Sequence, residues 1–174
     1  MRLARREALL LGAVALGAAA AGSLIGVLAL QARSGAAELL AATFTDLSGK
    51  PRRLLEWQGR VVTCNFWATW CAPCLEEMPM LSAAQQHYAE KGAVFVGIGI
   101  DHAPKIAEFT AKLKIGFPVL VADSGAIDLV RRLGNPTGAL PYTVFLDRSG
   151  AIVHRKLGAL NRPELDQILA GLVR

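Results

Sequence analysis

Two of the three cysteines in this chain of 174 residues stand three apart, as Cys71 and Cys74. That spacing serves either metal binding or thiol-disulfide exchange. A structural zinc site needs a second pair of ligands, and the sequence has neither another Cys-x-x-Cys nor a His-x-x-x-His. His87, His102 and His154 are scattered and read as surface or loop residues, so no metal is expected. A strand ending at Trp67, a three-residue connection and a helix from Ala72 place Cys71 at a helix amino end. There, unpaired N–H groups and the helix dipole favour a thiolate. Cys74, one turn on, is near enough to close a disulfide. Pro73 suits the first helical turn, where its missing N–H has no partner in any case. Cys71 is then the attacking thiol and Cys74 the buried, resolving one. No cofactor is expected beyond this redox-active disulfide.

The elements that must hold the pair are legible from hydrophobic period. Thr43 to Asp46 and Arg52 to Leu55 read as short strands around the turn Ser48-Gly49-Lys50-Pro51. Val61 to Trp67 suits a buried central strand, and Ala72 to about Glu90 carries a helical pattern with Leu75, Met78, Leu81 and Ala84 on one side. Ala93 to Ile100 is almost wholly apolar, as in a parallel strand covered on both faces. Pro104 opens a helix with Ile106, Phe109 and Leu113 as its apolar positions. A strand at Pro118 to Val121 and a helix at Ala126 to Leu133 follow. Tyr142 to Leu146 and Ile152 to Lys156 form a hairpin, and Asn161 caps a last helix with Pro163 in its first turn and Glu164 three residues on. Strands alternating with helices indicate an α/β fold with a mixed sheet.

The mean hydropathy of +0.37 is high for a soluble domain, and one segment raises it. Ala8 to Leu30 holds 23 consecutive uncharged residues behind Arg2, Arg5 and Arg6; as a helix it would run about 34 Å, enough to span a bilayer. The arginines keep the amino end in the cytoplasm and send the rest across. Length favours an uncleaved membrane anchor over a signal peptide cut near Ser34-Gly35-Ala36, which would release a soluble periplasmic domain. Residues 1–30 are thus read as the anchor or signal segment, 31–42 as a tether and 43–174 as the domain. Without residues 1–30 the chain keeps 16 basic and 13 acidic side chains, against 19 and 14 for the whole. That near balance, with no basic stripe interleaved with aromatics, excludes nucleic acid as a partner.

Asn65-Phe66-Trp67-Ala68-Thr69-Trp70-Cys71-Ala72-Pro73-Cys74, with Pro79 five residues on, resembles the active site of the thioredoxin superfamily. More narrowly, it resembles the membrane-tethered TlpA/ResA-like thiol-disulfide reductases. Gly138 to Asp147, GALPYTVFLD, is similar to that family's segment around a cis-proline, and the likeness spans about Thr43 to Val173. It implies a thioredoxin-like fold, with an amino-terminal β-hairpin and a helix-strand insertion between the active-site half and the carboxy-terminal half. It also implies a cis bond at Leu140-Pro141 that presents the backbone of Leu140 to an extended substrate strand. Trp70 would shield the pair and, with Ala72 and Pro73, offer substrates a surface. Electrons would come from a membrane thiol transporter, and the protein disulfides reduced would include apocytochrome c or copper-assembly proteins.

Thioredoxin has a buried aspartate six residues before its first cysteine, and Asn65 stands there instead; an amide cannot take the proton. Glu77, three residues after Cys74 and so on the same helical face, is the candidate, with Glu76 turned away. In the relatives a glutamate at the matching position acts in proton transfer; the alternative is a solvated helix residue. Cys64, adjacent to Asn65 on the strand, should face away from the pair as a small buried hydrophobe. The direction of exchange follows from Ala72-Pro73. Strongly oxidising relatives put a histidine between the cysteines, and an uncharged dipeptide stabilises the thiolate less. A peroxiredoxin would need Pro and Thr or Ser where Cys64 and Ala68 stand. A copper chaperone using Cys71, Cys74 and a histidine is the non-enzymatic alternative, though copper carriers of this fold usually space their cysteines by three residues.

Overall fold

The computed structural model describes residues 35–173. In chain order they form strands β1 (Thr43–Asp46), β2 (Pro51–Arg53) and β3 (Val61–Trp67), helix α1 (Ala72–Ala89), strand β4 (Ala93–Ile100), helix α2 (Ala103–Lys112), strand β5 (Val119–Ala122), helix α3 (Ala126–Arg132), strands β6 (Tyr142–Leu146) and β7 (Ile152–Leu157), and helix α4 (Arg162–Leu172). Seven strands make one sheet in the order β2-β1-β5-β4-β3-β6-β7. The central β3, β4 and β5 are parallel, and the remaining pairings are antiparallel. This is the mixed sheet expected. The amino-terminal hairpin joins it through β1 against β5, and α2 with β5 is the expected insertion.

Both faces of the sheet are covered, so β3 and β4 are buried at every position. The period of two along each strand divides them between two cores. Val62, Cys64, Phe66, Val94, Val96 and Ile98 point to one, with Leu129 and Val130 of α3. Val61, Trp67 and Phe95 point to the other, with Met78 and Leu81 of α1, Ile106 of α2 and Leu165 of α4. On that second face the carboxy half of β4 carries only glycines, Gly97 and Gly99, after Ala93 and Phe95. A methyl group at Gly99 would come within 2.4 Å of Ile106 Cδ1, so α2 lies against the sheet only because no side chain is there.

Three expectations shift. The second strand runs over Pro51–Arg53, and Leu54–Trp57 is a 3-10 turn. The turn is closed by Glu56, which accepts from the Arg53 backbone N–H at 2.9 Å and from Arg52 Nε at 2.6 Å. The fifth strand begins at Val119, one residue later than expected, because Pro118 has no N–H to give; its carbonyl accepts from the Gly97 amide at 2.9 Å. The tether expected over residues 31–42 is not extended where it is described. Residues 35–41 are helical, Leu39 is 0 % exposed within the first core, and Glu38 pairs with Arg132 of α3 at 2.7 Å. The compact unit accordingly starts at Gly35 rather than Thr43. The anchor expected over residues 8–30 lies outside the described residues.

Candidate active site

β3 delivers its carboxy end into a tight turn, in which the Cys71 N–H donates to the Ala68 carbonyl at 3.2 Å. α1 starts immediately after it, with Cys71 as its cap residue and Pro73 in the first turn. Cys71 and Cys74 are joined in a disulfide, with Cα atoms 5.3 Å apart. Cys71 keeps 6 % of its surface exposed and Cys74 none, so only one of the two sulfurs can meet a partner first. Ala72 and Pro73 are exposed, and Trp70 stands out at 69 % exposure.

Below the pair, the face of α1 that buries Cys74 also buries Glu77, which is 4 % exposed. Each of its carboxyl oxygens receives one hydrogen bond. Asn65 Nδ2 donates to Oε1 at 2.8 Å, and the Leu160 backbone N–H donates to Oε2 at 2.7 Å. Burial pushes the Glu77 carboxyl above the usual carboxylate range. The hydrogen bonds from Leu160 and Asn65 and the charge of Lys156 hold it back only partly. The alternative of a solvated glutamate is thereby set aside, and Glu76 next to it is exposed.

The Leu140-Pro141 peptide bond is cis. Leu140 is partly buried against the core that contains both cysteines, and Gly158 N–H donates to the Pro141 carbonyl at 2.9 Å. The loop leading to it is organised by buried Asn135, whose Nδ2 donates to the Ala139 carbonyl at 2.7 Å and whose Oδ1 accepts from the Thr137 hydroxyl at 2.8 Å. Asn135 went unread in the sequence, although the Gly134-Asn135-Pro136-Thr137-Gly138 run marks a turn. Also unread was Asp101 at the end of β4, which accepts from the Thr69 hydroxyl and from the His102 N–H. It pins the residue before Trp70 to the start of α2.

Cys64 faces the opposite core from the disulfide, as strand alternation requires, and its thiol is raised far out of the physiological range by burial. Among the described residues, no three His, Cys, Asp or Glu side chains come together as a metal-binding group. Beside Trp70 a cleft of about 1180 Å³ opens at the carboxy ends of β4 and β5, with Phe44, Ile100, Asp101, Asp123 and Ile127 among its walls.

A profile of the Redoxin family matches residues 34–169. The thiol-disulfide oxidoreductase ResA of Bacillus anthracis is 32% identical over 126 residues, covering 72% of this chain and 70% of that protein. Among solved structures, a thiol:disulfide interchange protein of the thioredoxin family from Chlorobium tepidum has a TM-score of 0.68 at 25% identity, over 76% of this chain and 93% of that one. A secreted Mycobacterium tuberculosis disulfide oxidoreductase, homologous to DsbE of E. coli, has a TM-score of 0.65 at 28% identity, over 78% and 98%. Sheet order, cysteine pair and likeness agree, and this chain belongs to the Redoxin family as a thioredoxin-fold thiol-disulfide oxidoreductase of the ResA kind.

Proposed function

We propose that the protein reduces disulfides of other proteins outside the cytoplasmic membrane. The observation that carries this reading is an uncharged, exposed Ala72-Pro73 between the cysteines, over a buried carboxyl at Glu77. Neither group stabilises a thiolate, and a pair whose thiolate is poorly stabilised gives up its electrons readily. In the reduced protein the Cys71 thiolate attacks one sulfur of the substrate disulfide, and the first substrate thiol leaves. Cys74 passes its proton to Glu77 and attacks Cys71 Sγ, and the second substrate thiol leaves with the electron pair. The substrate has gained two electrons, and the Cys71-Cys74 disulfide has formed. Leu140 and Pro141 align the substrate strand, and Trp70, Ala72 and Pro73 give it an apolar surface that continues into the neighbouring cleft. The uncharged run of residues 8–30 behind three arginines supports tethering to the membrane. From that side a membrane thiol transporter would return the electrons, and apocytochrome c or copper-assembly proteins are the substrates of choice. Equilibration with glutathione tests the direction. A potential below about −180 mV is expected, and a value near −120 mV overturns the reductase reading.

A further inference from the structure

Asn65 sits at the centre of the buried polar group, and one of its two amide atoms has no partner. Its Nδ2 donates to Glu77 Oε1 at 2.8 Å and to Thr143 Oγ1 at 3.0 Å. Its Oδ1 is fully buried and meets no donor. Register explains the first fact, since Asn65 of β3 lies directly opposite Thr143 of β6 and both side chains point to the α1 face. The second is unusual, because an unpaired buried carbonyl oxygen costs free energy. In this arrangement both hydrogen bonds to the Glu77 carboxyl come from donors and suit a carboxylate. A protonated Glu77 needs an acceptor for its O–H, and the Leu160 N–H at Oε2 cannot be one.

We infer that Asn65 is a positioning residue for Glu77 whose side-chain amide rotates by half a turn as Glu77 gains or loses its proton, donating to the carboxylate and accepting from the carboxylic acid. Rotation brings Oδ1 to the place of Nδ2. It then accepts from the Glu77 O–H, and the Thr143 hydroxyl reverses from acceptor to donor. The oxygen is unpaired in one orientation and the NH2 group in the other, so the rotation is driven by the Glu77 proton, which needs an acceptor only when it is present. An aspartate at position 65 would compete for that proton, whereas an amide follows it without titrating. The charged group that faces Glu77 is Lys156 of β7; Cys74 on α1 is held in the disulfide. Lys156 lies opposite Thr143 in register and is paired with Glu164 of α4 at 2.7 Å.

The inference rests on Glu77 changing its protonation, and the test reads the amide and the carboxyl separately. Asparagine occurs three times in the chain, at Asn65, Asn135 and Asn161, so the full-length protein in detergent micelles, labelled with [15N]asparagine and [13C]glutamate, shows three side-chain amides by NMR. Across pH 4 to 9 the Asn65 amide should move upfield, toward an unbonded amide, as Glu77 is protonated, with the same midpoint as the shift of the Glu77 carboxyl carbon that reports that protonation. In Glu77→Gln it should not move. An Asn65 amide that stays constant overturns the inference, whether or not Glu77 titrates. If Glu77 titrates and the amide follows while disulfide reduction is unchanged in Glu77→Gln, the proton-transfer role fails and the rotation stands. A second readout uses Asn65→Leu, which removes a partner from both forms of Glu77 and should raise its midpoint by less than about one pH unit. A larger rise marks a fixed donor and also overturns the inference. The wild-type titration stands without this variant should Leu fail to fold.

Discussion

Cys71 and Cys74 differ in exposure as well as in their place along the helix, and both differences assign the same order of reaction. In Cys74→Ser the mixed disulfide with a substrate protein should accumulate at Cys71, because nothing remains to resolve it; in Cys71→Ser none should form. Mass spectrometry of the trapped species checks this, and the reverse pattern would reverse the roles. Glu77 carries a second expectation, in stability. Its carboxyl is raised in the folded protein by burial, so the folded state holds the proton more tightly than the unfolded one. Its contribution to stability is therefore fully present below the unfolded value of about 4.3 and is lost as pH rises through the folded value. Urea denaturation of the oxidised protein and of Glu77→Gln should show the wild type losing stability relative to the variant as pH is raised from 4 to 8. Glu76→Gln, on the exposed side of the same helix, should follow the wild type. Parallel curves for wild type and Glu77→Gln would mean that the carboxyl titrates normally.

Among the elements, β4 shows how a strand sets the approach of a helix. Its alternation places valines and isoleucines on one face and Gly97 and Gly99 on the other, and Ile106 of α2 fills the space above Gly99. A side chain there must push α2 outward, and Asp101, which holds Thr69 beside the redox turn, lies at the junction of β4 and α2. Gly99→Ala should cost about 1–3 kcal/mol through overpacking. The added methyl meets the terminal carbon of Ile106 first, so Gly99→Ala combined with Ile106→Val should be less destabilised than the sum of the single variants. Chemical denaturation of the four proteins decides it; simple additivity would place the strain elsewhere. At the other end of the chain the sequence signals hold to the atom. Asn161 Oδ1 accepts from the Glu164 N–H at 3.0 Å and opens α4 with Pro163 in its first turn.

At the scale of the whole molecule, the domain reaches further back than its first strand. Leu39 is fully buried and Ala36 nearly so, and Leu40 lies close to Gly150, at 2.8 Å from where a methyl there would stand. Leu39→Ala should therefore destabilise the domain by about 2–5 kcal/mol, measurable as a lowered denaturation midpoint. A midpoint equal to wild type would restore the reading of this stretch as a tether. The strands, the helices, the cysteine pair and the family are legible along the chain, because each is written in contiguous residues: period two for a strand, a cap and a proline for a helix start, two thiols one turn apart. The sequence places Glu77 and Cys64 on the correct faces for the same reason. What those faces meet is set by the packing of distant segments. Asn65 and Glu77 are 12 residues apart, Glu77 and Leu160 are 83 apart, and Asn65 and Thr143 are 78 apart. Such contacts follow from the register of β3 on β6 and the packing of α1 across the sheet, which no local period records. The burial of Leu39 is of the same kind: a short stretch of Ala and Leu around Glu38 reads alike in a linker and in a helix, and only the open face of the first core selects between them.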